Sequence, residues 1–173
     1  MIRTLKIFFF IFSVLHFYNV QSQYNIEDNL IRKKLMDFLS RREHSKKELF
    51  NKLFKRVNDL ELLNQEIDRL ANEGLQSDER FSEAYIRSKT QAGYGPIKIK
   101  MELAQKGISN NFLDKKFSEL EINWEKEIND LLLKKFPKTK YNFEEEKTKA
   151  KAINFLQRRG FDFDLSYRQV IGY

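Results

Sequence analysis

The chain has 173 residues and a formal charge of +7, with 33% of residues charged, 16 Phe, 6 Gly, 2 Pro and no Cys. That length suits one domain or a short array of small modules, and the phenylalanines can fill a core unaided by cross-links. The lack of cysteine excludes disulfide scaffolds, thiol nucleophiles and Cys-ligated zinc, and it fits a reducing compartment.

Residues 1–24 form an apolar leader. Met1 to Lys6 is basic, Ile7 to Tyr18 is almost wholly apolar, and Gln21-Ser22-Gln23 gives a polar exit. The form is that of a secretory signal peptide. The apolar run is shorter than the roughly 20 residues a membrane span needs. A mistaken upstream start and a genuine anchor are the other readings. The leader carries Arg3 and Lys6 and no acid, leaving thirty bases against twenty-five acids in the remainder. That excess is modest. It is compatible with a polyanionic partner and ordinary for a soluble domain.

From about Asn29 onward the chain repeats itself. Glu48–Arg56, Lys98–Lys106 and Lys151–Arg159 align. Leu49, Ile99 and Ala152 fall in one register, and Leu53, Leu103 and Leu156 fall four residues later. Apolar residues at i and i+4 share a helix face. Each helix closes on a base, Arg56, Lys106 or Arg159, which suits the negative end of the helix dipole. Gly107 and Gly160 follow as left-handed terminators, with Asn58 filling that role in the first copy. Ile108 and Phe161 cover the turn. Asp59, Ser109 and Asp162 then offer caps for another helix, whose inner face is Phe112 with Phe117 in copy two and Leu165 with Val170 in copy three.

A further helix precedes each pair. Its inner residues are Ile31, Leu35, Phe38 and Leu39 in the first copy, and Phe81, Ala84, Tyr85 and Ser88 in the second. In the third they are Trp124, Ile128, Leu131 and Leu132. All follow helical three- and four-residue steps. The breaks fall at Glu43-His44-Ser45, at Gly93-Tyr94-Gly95-Pro96 and at Phe136 to Lys140, with Pro96 opening a helix. The expected fold is all-α: three tandem three-helix, helix-turn-helix-like repeats at 29–75, 76–120 and 121–173, stacked into an elongated curved array.

Catalytic chemistry is sparse. His44 stands in a charged loop and reads as a solvated turn residue, and His16 lies in the leader. Two histidines without grouped carboxylates do not make a metal site. Glu144-Glu145-Glu146 reads as the first turn of a helix. Gly93-x-Gly95 lacks the rest of any nucleotide fingerprint, and no Ser–His–acid set can be assembled. The expectation is a non-enzyme with no cofactor, no metal and no small-molecule substrate.

Several segments carry a family signature in order and at fixed spacing. They are Leu39-Ser40-Arg41-Arg42-Glu43-His44-Ser45-Lys46-Lys47-Glu48-Leu49 and Asp78-Glu79-Arg80-Phe81-Ser82-Glu83-Ala84-Tyr85. Gly93-Tyr94-Gly95-Pro96 follows with Ile99, Glu102, Leu103, Lys106, Gly107 and Ile108, and then Phe155 to Phe161. Over roughly Leu30 to Gly172 the chain resembles the regulatory protein RecX family. The resemblance implies tandem three-helix repeats that bind RecA nucleoprotein filaments, lie in the filament groove, and restrain ATP hydrolysis, strand exchange and SOS induction. A protein with that role works beside the chromosome. The leader is therefore read as spurious and the location as cytoplasmic.

Spaced bases are the candidate contacts with a RecA–DNA filament. They are Arg41, Arg42, Lys46, Lys47 and Lys52 (with Lys55) in the first repeat, and Arg80, Arg87, Lys98 and Lys100 in the second. Lys147, Lys151, Arg158 and Arg159 complete them in the third, and Tyr94 is a candidate partner-facing aromatic. Each contact is weak and salt-screened, but linked contacts add avidity. A monomer with weak, non-specific DNA contact is expected. Two other readings are a stand-alone helix-turn-helix DNA-binding protein and, if the leader is genuine, a secreted or tethered helical adaptor.

Overall fold

The structure is a computed structural model that describes residues 29–173. The leader read at 1–24 lies outside the described residues. Nine helices and no strand occur among them. Helix α1 covers 29–41. Then come α2 (Lys46–Leu53), α3 (Leu60–Asn72), α4 (Asp78–Gln91) and α5 (Pro96–Gln105). The last four are α6 (Asn110–Glu119), α7 (Trp124–Lys135), α8 (Glu146–Arg159) and α9 (Phe163–Ile171). None is long and apolar enough to cross a membrane. The chain divides into two compact units, one ending at Ser77 and one spanning Asp78–Tyr173.

In the first unit α1, α2 and α3 enclose Ile31, Leu35, Leu49, Leu53, Leu63, Ile67 and Leu70. Ser45 caps α2 by accepting from the Glu48 amide at 3.1 Å, and Asp59 caps α3 by accepting from the Leu62 amide at 2.9 Å. Two features differ from the sequence expectation. Asn58 is not left-handed, since Glu121 is the one non-glycine residue of positive φ described. Helix α2 also ends at Leu53, so Arg56 sits in the turn beyond it, where its amide donates to the Leu53 carbonyl at 2.7 Å. The short turn leaves the extended Asp59 to start α3.

The second unit holds two clusters of buried residues. Helices α4, α5 and α6 gather around Phe81, Ile86, Ile99, Leu103, Ile108 and Leu113. Helices α7, α8 and α9 gather around Ile128, Leu132, Phe136, Ala152, Leu156, Phe161 and Val170. The three aligned pairs of the middle helices, Leu49 with Leu53, Ile99 with Leu103 and Ala152 with Leu156, are all fully buried. Gly107 and Gly160 take φ of +91° and +93°, as terminators of this kind do. Pro96 opens α5, and Asp162 caps α9 by accepting from the Leu165 amide at 2.9 Å. Ser109 occupies the cap position of α6 without a side-chain bond.

The faces of some helices are rotated from the expected ones. In α4, Ala84 and Ser88 are exposed, while Ser82, Ile86 and Thr90 turn inward. Ser82 tolerates burial because its hydroxyl donates to the Asp78 carbonyl at 2.6 Å. In α6 the buried apolar residue is Leu113, with Phe112 and Phe117 flanking the core half-buried. Phe136, expected in a break, is a core residue. Glu145 occupies the cap position of α8 without a side-chain bond, so only Glu146 lies in the first turn.

Two of the three equivalent helices carry a buried charge at one matching position, seven residues after the cap; in α9 that position is Gln169. In α3 it is Glu66, 2% exposed, which accepts from Arg32 of α1 at 3.3 Å and from Arg69 at 2.8 Å. In α6 it is Lys116, 7% exposed, which reaches Glu79 of α4 at 2.6 Å and Glu119 at 2.7 Å. These partners hold its ammonium above the ordinary lysine range. The sign is inverted but the task is the same: the third helix is tied to the first by an ion pair with one buried partner. Such pairs fix register more than they add stability.

A backbone lock joins the two halves of the second unit. The Gly95 amide donates to the Arg159 carbonyl at 2.8 Å, and the Ile97 amide donates to the Gly160 carbonyl at 3.0 Å. A Cβ on Gly95 would lie 2.4 Å from the Gly160 oxygen, and one on Gly160 would lie 2.4 Å from Lys98 Cβ. Neither position admits a side chain. Trp124, on α7, packs against both clusters, with ring centroids 6.1 Å from Phe117 and 6.1 Å from Phe161.

Candidate partner and nucleic-acid interface

The candidate bases separate by what holds them. In the first unit half are matched to carboxylates. Arg41 pairs with Asp37 at 3.0 Å, Arg42 with Glu48 at 2.9 Å, and Lys46 with Asp68 at 2.6 Å. Lys47 is exposed, Lys52 lies 4.7 Å from the Phe38 ring centroid, and Lys55 lies 5.5 Å from that of Phe54. In the second unit Arg87 pairs with Glu83 at 2.8 Å and Lys100 with Asp114 at 2.5 Å, while Arg80 is exposed. On α8, Lys147, Lys151 and Arg158 are exposed at steps of four and seven residues, so they share one outer face. Lys151 lies 5.4 Å from the Tyr141 ring centroid.

Tyr94 is not a bare partner-facing aromatic. It is half-buried against the α4–α6 core, and three cations crowd its ring. Lys98 lies 4.7 Å from the centroid, Arg159 lies 4.9 Å from it and Lys89 lies 5.0 Å from it. Cations sit well against the electron-rich face of an aromatic ring. Arg159 is further fixed by a 3.0 Å bond from its guanidinium to the Ala92 carbonyl. Of the candidates, then, Tyr94, Lys98 and Arg159 are brought together, and the others are distributed over both units.

Tyr85 extends this cluster. Lys89 lies 5.1 Å and Lys106 lies 5.3 Å from its ring centroid, and its hydroxyl donates to Glu102 at 2.5 Å. Lys89 also reaches Glu102, at 2.7 Å. Burial pushes the Glu102 carboxyl upward, but the bonds from Lys89 and Tyr85 and the charges of Lys89 and Lys98 outweigh it and hold the group below the ordinary carboxylate range. The same bond holds Lys89 above its usual value, and burial followed by the bond to Glu102 raises Tyr85. Lys89, Lys98, Lys106 and Arg159 are thus gathered about two tyrosine rings, with Glu102 bound to Lys89.

Lys89, Lys106, Tyr85 and Glu102 were not among the candidates from sequence. One signal was available: Tyr85 and Lys89 are four apart, the spacing of a helical aromatic–cation pair. Their meeting with Glu102 and Arg159 depends on packing. Among the described residues no three His, Asp or Glu side chains gather to hold a metal.

Comparison with known proteins gives this arrangement a context. Residues 77–115 match the second three-helix domain of RecX, and residues 125–169 match the third. The chain is 39% identical over 142 residues to a regulatory protein RecX of Pseudomonas putida, covering 82% of this chain and 90% of that protein. It is 36% identical over 142 residues to that of Pseudomonas entomophila, with the same coverage of 82% and 90%. In fold it is similar to the crystal structure of RecX from Lactobacillus salivarius, with a TM-score of 0.72 and 20% identity, over 86% of this chain and 97% of that one. The all-helical fold, the matched three-helix domains and the identity along most of its length make this chain a member of the RecX family of regulatory proteins.

Proposed function

We propose that the chain regulates RecA by binding RecA-coated DNA and slowing ATP turnover and strand exchange, without catalysis of its own. The observation that carries this reading is the 39% identity over 142 residues to a regulatory protein RecX. The physical basis is a set of bases spread over both units. Lys47, Lys147, Lys151 and Arg158 face solvent, and a cationic group surrounds Tyr94. Weak contacts distributed along a repeating polymer combine into useful avidity. A clamp that spans neighbouring protomers resists the movements that accompany turnover. We further propose that the working chain is a cytoplasmic monomer of three modules, at 29–75, 76–120 and 121–173.

The test is strand exchange by RecA with the full chain added at increasing ratios, alongside co-sedimentation with RecA filaments. The expected result is inhibition in step with co-sedimentation, both weakening as salt rises. Strand exchange at the uninhibited rate with a saturating amount of the chain would refute the proposal.

A further inference from the structure

We propose that Lys98 and Arg159, held on the Tyr94 ring with Lys89 beside them, form a binding site for nucleic-acid phosphate across the α4–α6 and α7–α9 groups. The proposal deepens the function above and rests on it only for the source of the nucleic acid.

Three observations converge. The first is how the cations are held. A carboxylate takes up an ammonium's charge and its donors together. A ring face fixes the cation's position without offering a lone pair, so the N–H groups stay available to an anion. Lys98 is fixed on Tyr94 in this way, and so is Arg159 with the N–H groups that Ala92 does not take, whereas Lys89 meets Glu102 and Arg41, Arg42, Lys46, Arg87 and Lys100 also meet carboxylates. The second is charge density. Three cations lie within 5.0 Å of one ring centroid, and one of them, Lys89, is paired with Glu102. Like charges held this close repel one another, and a bound anion relieves that repulsion.

The third observation is rigidity. Lys89 comes from α4, Lys98 from α5 and Arg159 from α8. The bonds from the Gly95 and Ile97 amides to the Arg159 and Gly160 carbonyls set the spacing of Lys98 and Arg159, and the Tyr94 amide donates to the Lys89 carbonyl at 3.0 Å. The close approach of Gly95 to Gly160 leaves no room for a side chain at either position. A preorganised set of donors binds without a further ordering penalty.

Phosphodiester is favoured over an acidic protein surface for two reasons. An arginine fork matches phosphate oxygens well. A nucleic-acid strand also delivers one full charge per nucleotide, which is the density this cluster can answer. The ring faces are taken by cations, so bases do not stack here and recognition is independent of sequence.

The experiment uses the full chain and a fluorescent oligothymidylate without RecA, followed by anisotropy across a salt series. Lys98→Gln removes one cation and leaves the backbone lock untouched; the double variant K98Q/R159Q removes two. Thermal unfolding checks that each is folded. Each cation lost should flatten the plot of log affinity against log salt by about 0.7. K98Q is expected to bind several-fold more weakly at low salt and the double variant at least tenfold more weakly, with Lys98→Arg close to the parent. Unlabelled oligonucleotide should displace the probe far better than polyglutamate of equal charge. A folded K98Q with the parent's affinity and salt slope would overturn the site, and so would equal displacement by polyglutamate, which would assign the cluster to acidic protein. RecA ATPase inhibition is read on the same samples. If the parent inhibits while K98Q binds oligonucleotide normally, the site fails and the regulatory reading stands. If K98Q loses oligonucleotide binding but the parent never inhibits, the site stands and the regulatory reading fails.

Discussion

The imidazole of His44 is 3% exposed, tilted against the Phe38 ring with centroids 6.1 Å apart, and its Nδ1 donates to the Arg42 carbonyl at 3.0 Å. Burial depresses its pKa, and the positive charge of Arg42 acts in the same direction, against the opposing pull of that hydrogen bond. The unfolded chain therefore takes up a proton near pH 6.5 while the folded chain does not. Below that pH the unfolded state binds more protons, so stability falls with pH until the depressed value is passed; above it the contribution is constant. Urea midpoints measured between pH 5 and 7.5 should fall on the acid side in the parent and fall less in His44→Gln. Parallel curves would show that His44 carries no such linkage. Nothing in the polar segment around His44 announced this burial. It depends on Phe38 and on Gln76, whose side chain donates to the His44 carbonyl at 3.0 Å from 32 residues away.

At the scale of the helix, the terminators and caps were legible because their chemistry is local. Asp59 and Asp162 accept from amides three residues on, and Gly107 and Gly160 supply the left-handed turn. The i, i+4 pairs of the middle helices were legible because apolar residues four apart mark one helix face. The face of α4 was not, since alternation cannot tell a small polar residue satisfied by its own helix, Ser82, from an exposed one. Two predictions belong here. Leu156→Ala and Leu113→Ala should each lower unfolding free energy by about 2–5 kcal/mol, the range for emptying a packed leucine site, as read from denaturant curves. A loss under 0.5 kcal/mol would contradict the packing described, being the size of an ordinary surface change. Gly160→Ala should exceed the roughly 1–2 kcal/mol of left-handed strain, because the new methyl also meets Lys98. Stability equal to the parent's would mean that the Gly95–Gly160 approach does not hold in solution.

For the molecule as a whole, composition and internal repetition were enough to specify an all-helical chain, since three aligned helices with matching ends leave few other folds. The candidate site was legible only in part. Lys98, Tyr94 and Arg159 stood out as bases and a glycine-flanked aromatic, but their convergence on one ring joins residues 65 apart and is set by the backbone lock. Lys89 and Lys106 belong to the same group through Tyr85, a residue read only as core. The many paired bases of the first unit point the other way: a count of lysines and arginines overstates the surface available to a polyanion, because neighbouring carboxylates answer so many of them.

The regulatory role is tested most directly by the DNA-dependent ATPase rate of RecA, titrated with the full chain at low and at moderate salt. Regulation by distributed cationic contacts predicts a rate that falls to a plateau as the chain approaches stoichiometry with filament sites, with the midpoint moving to higher concentration when salt is raised. A rate that stays unchanged at every ratio in low salt would contradict it.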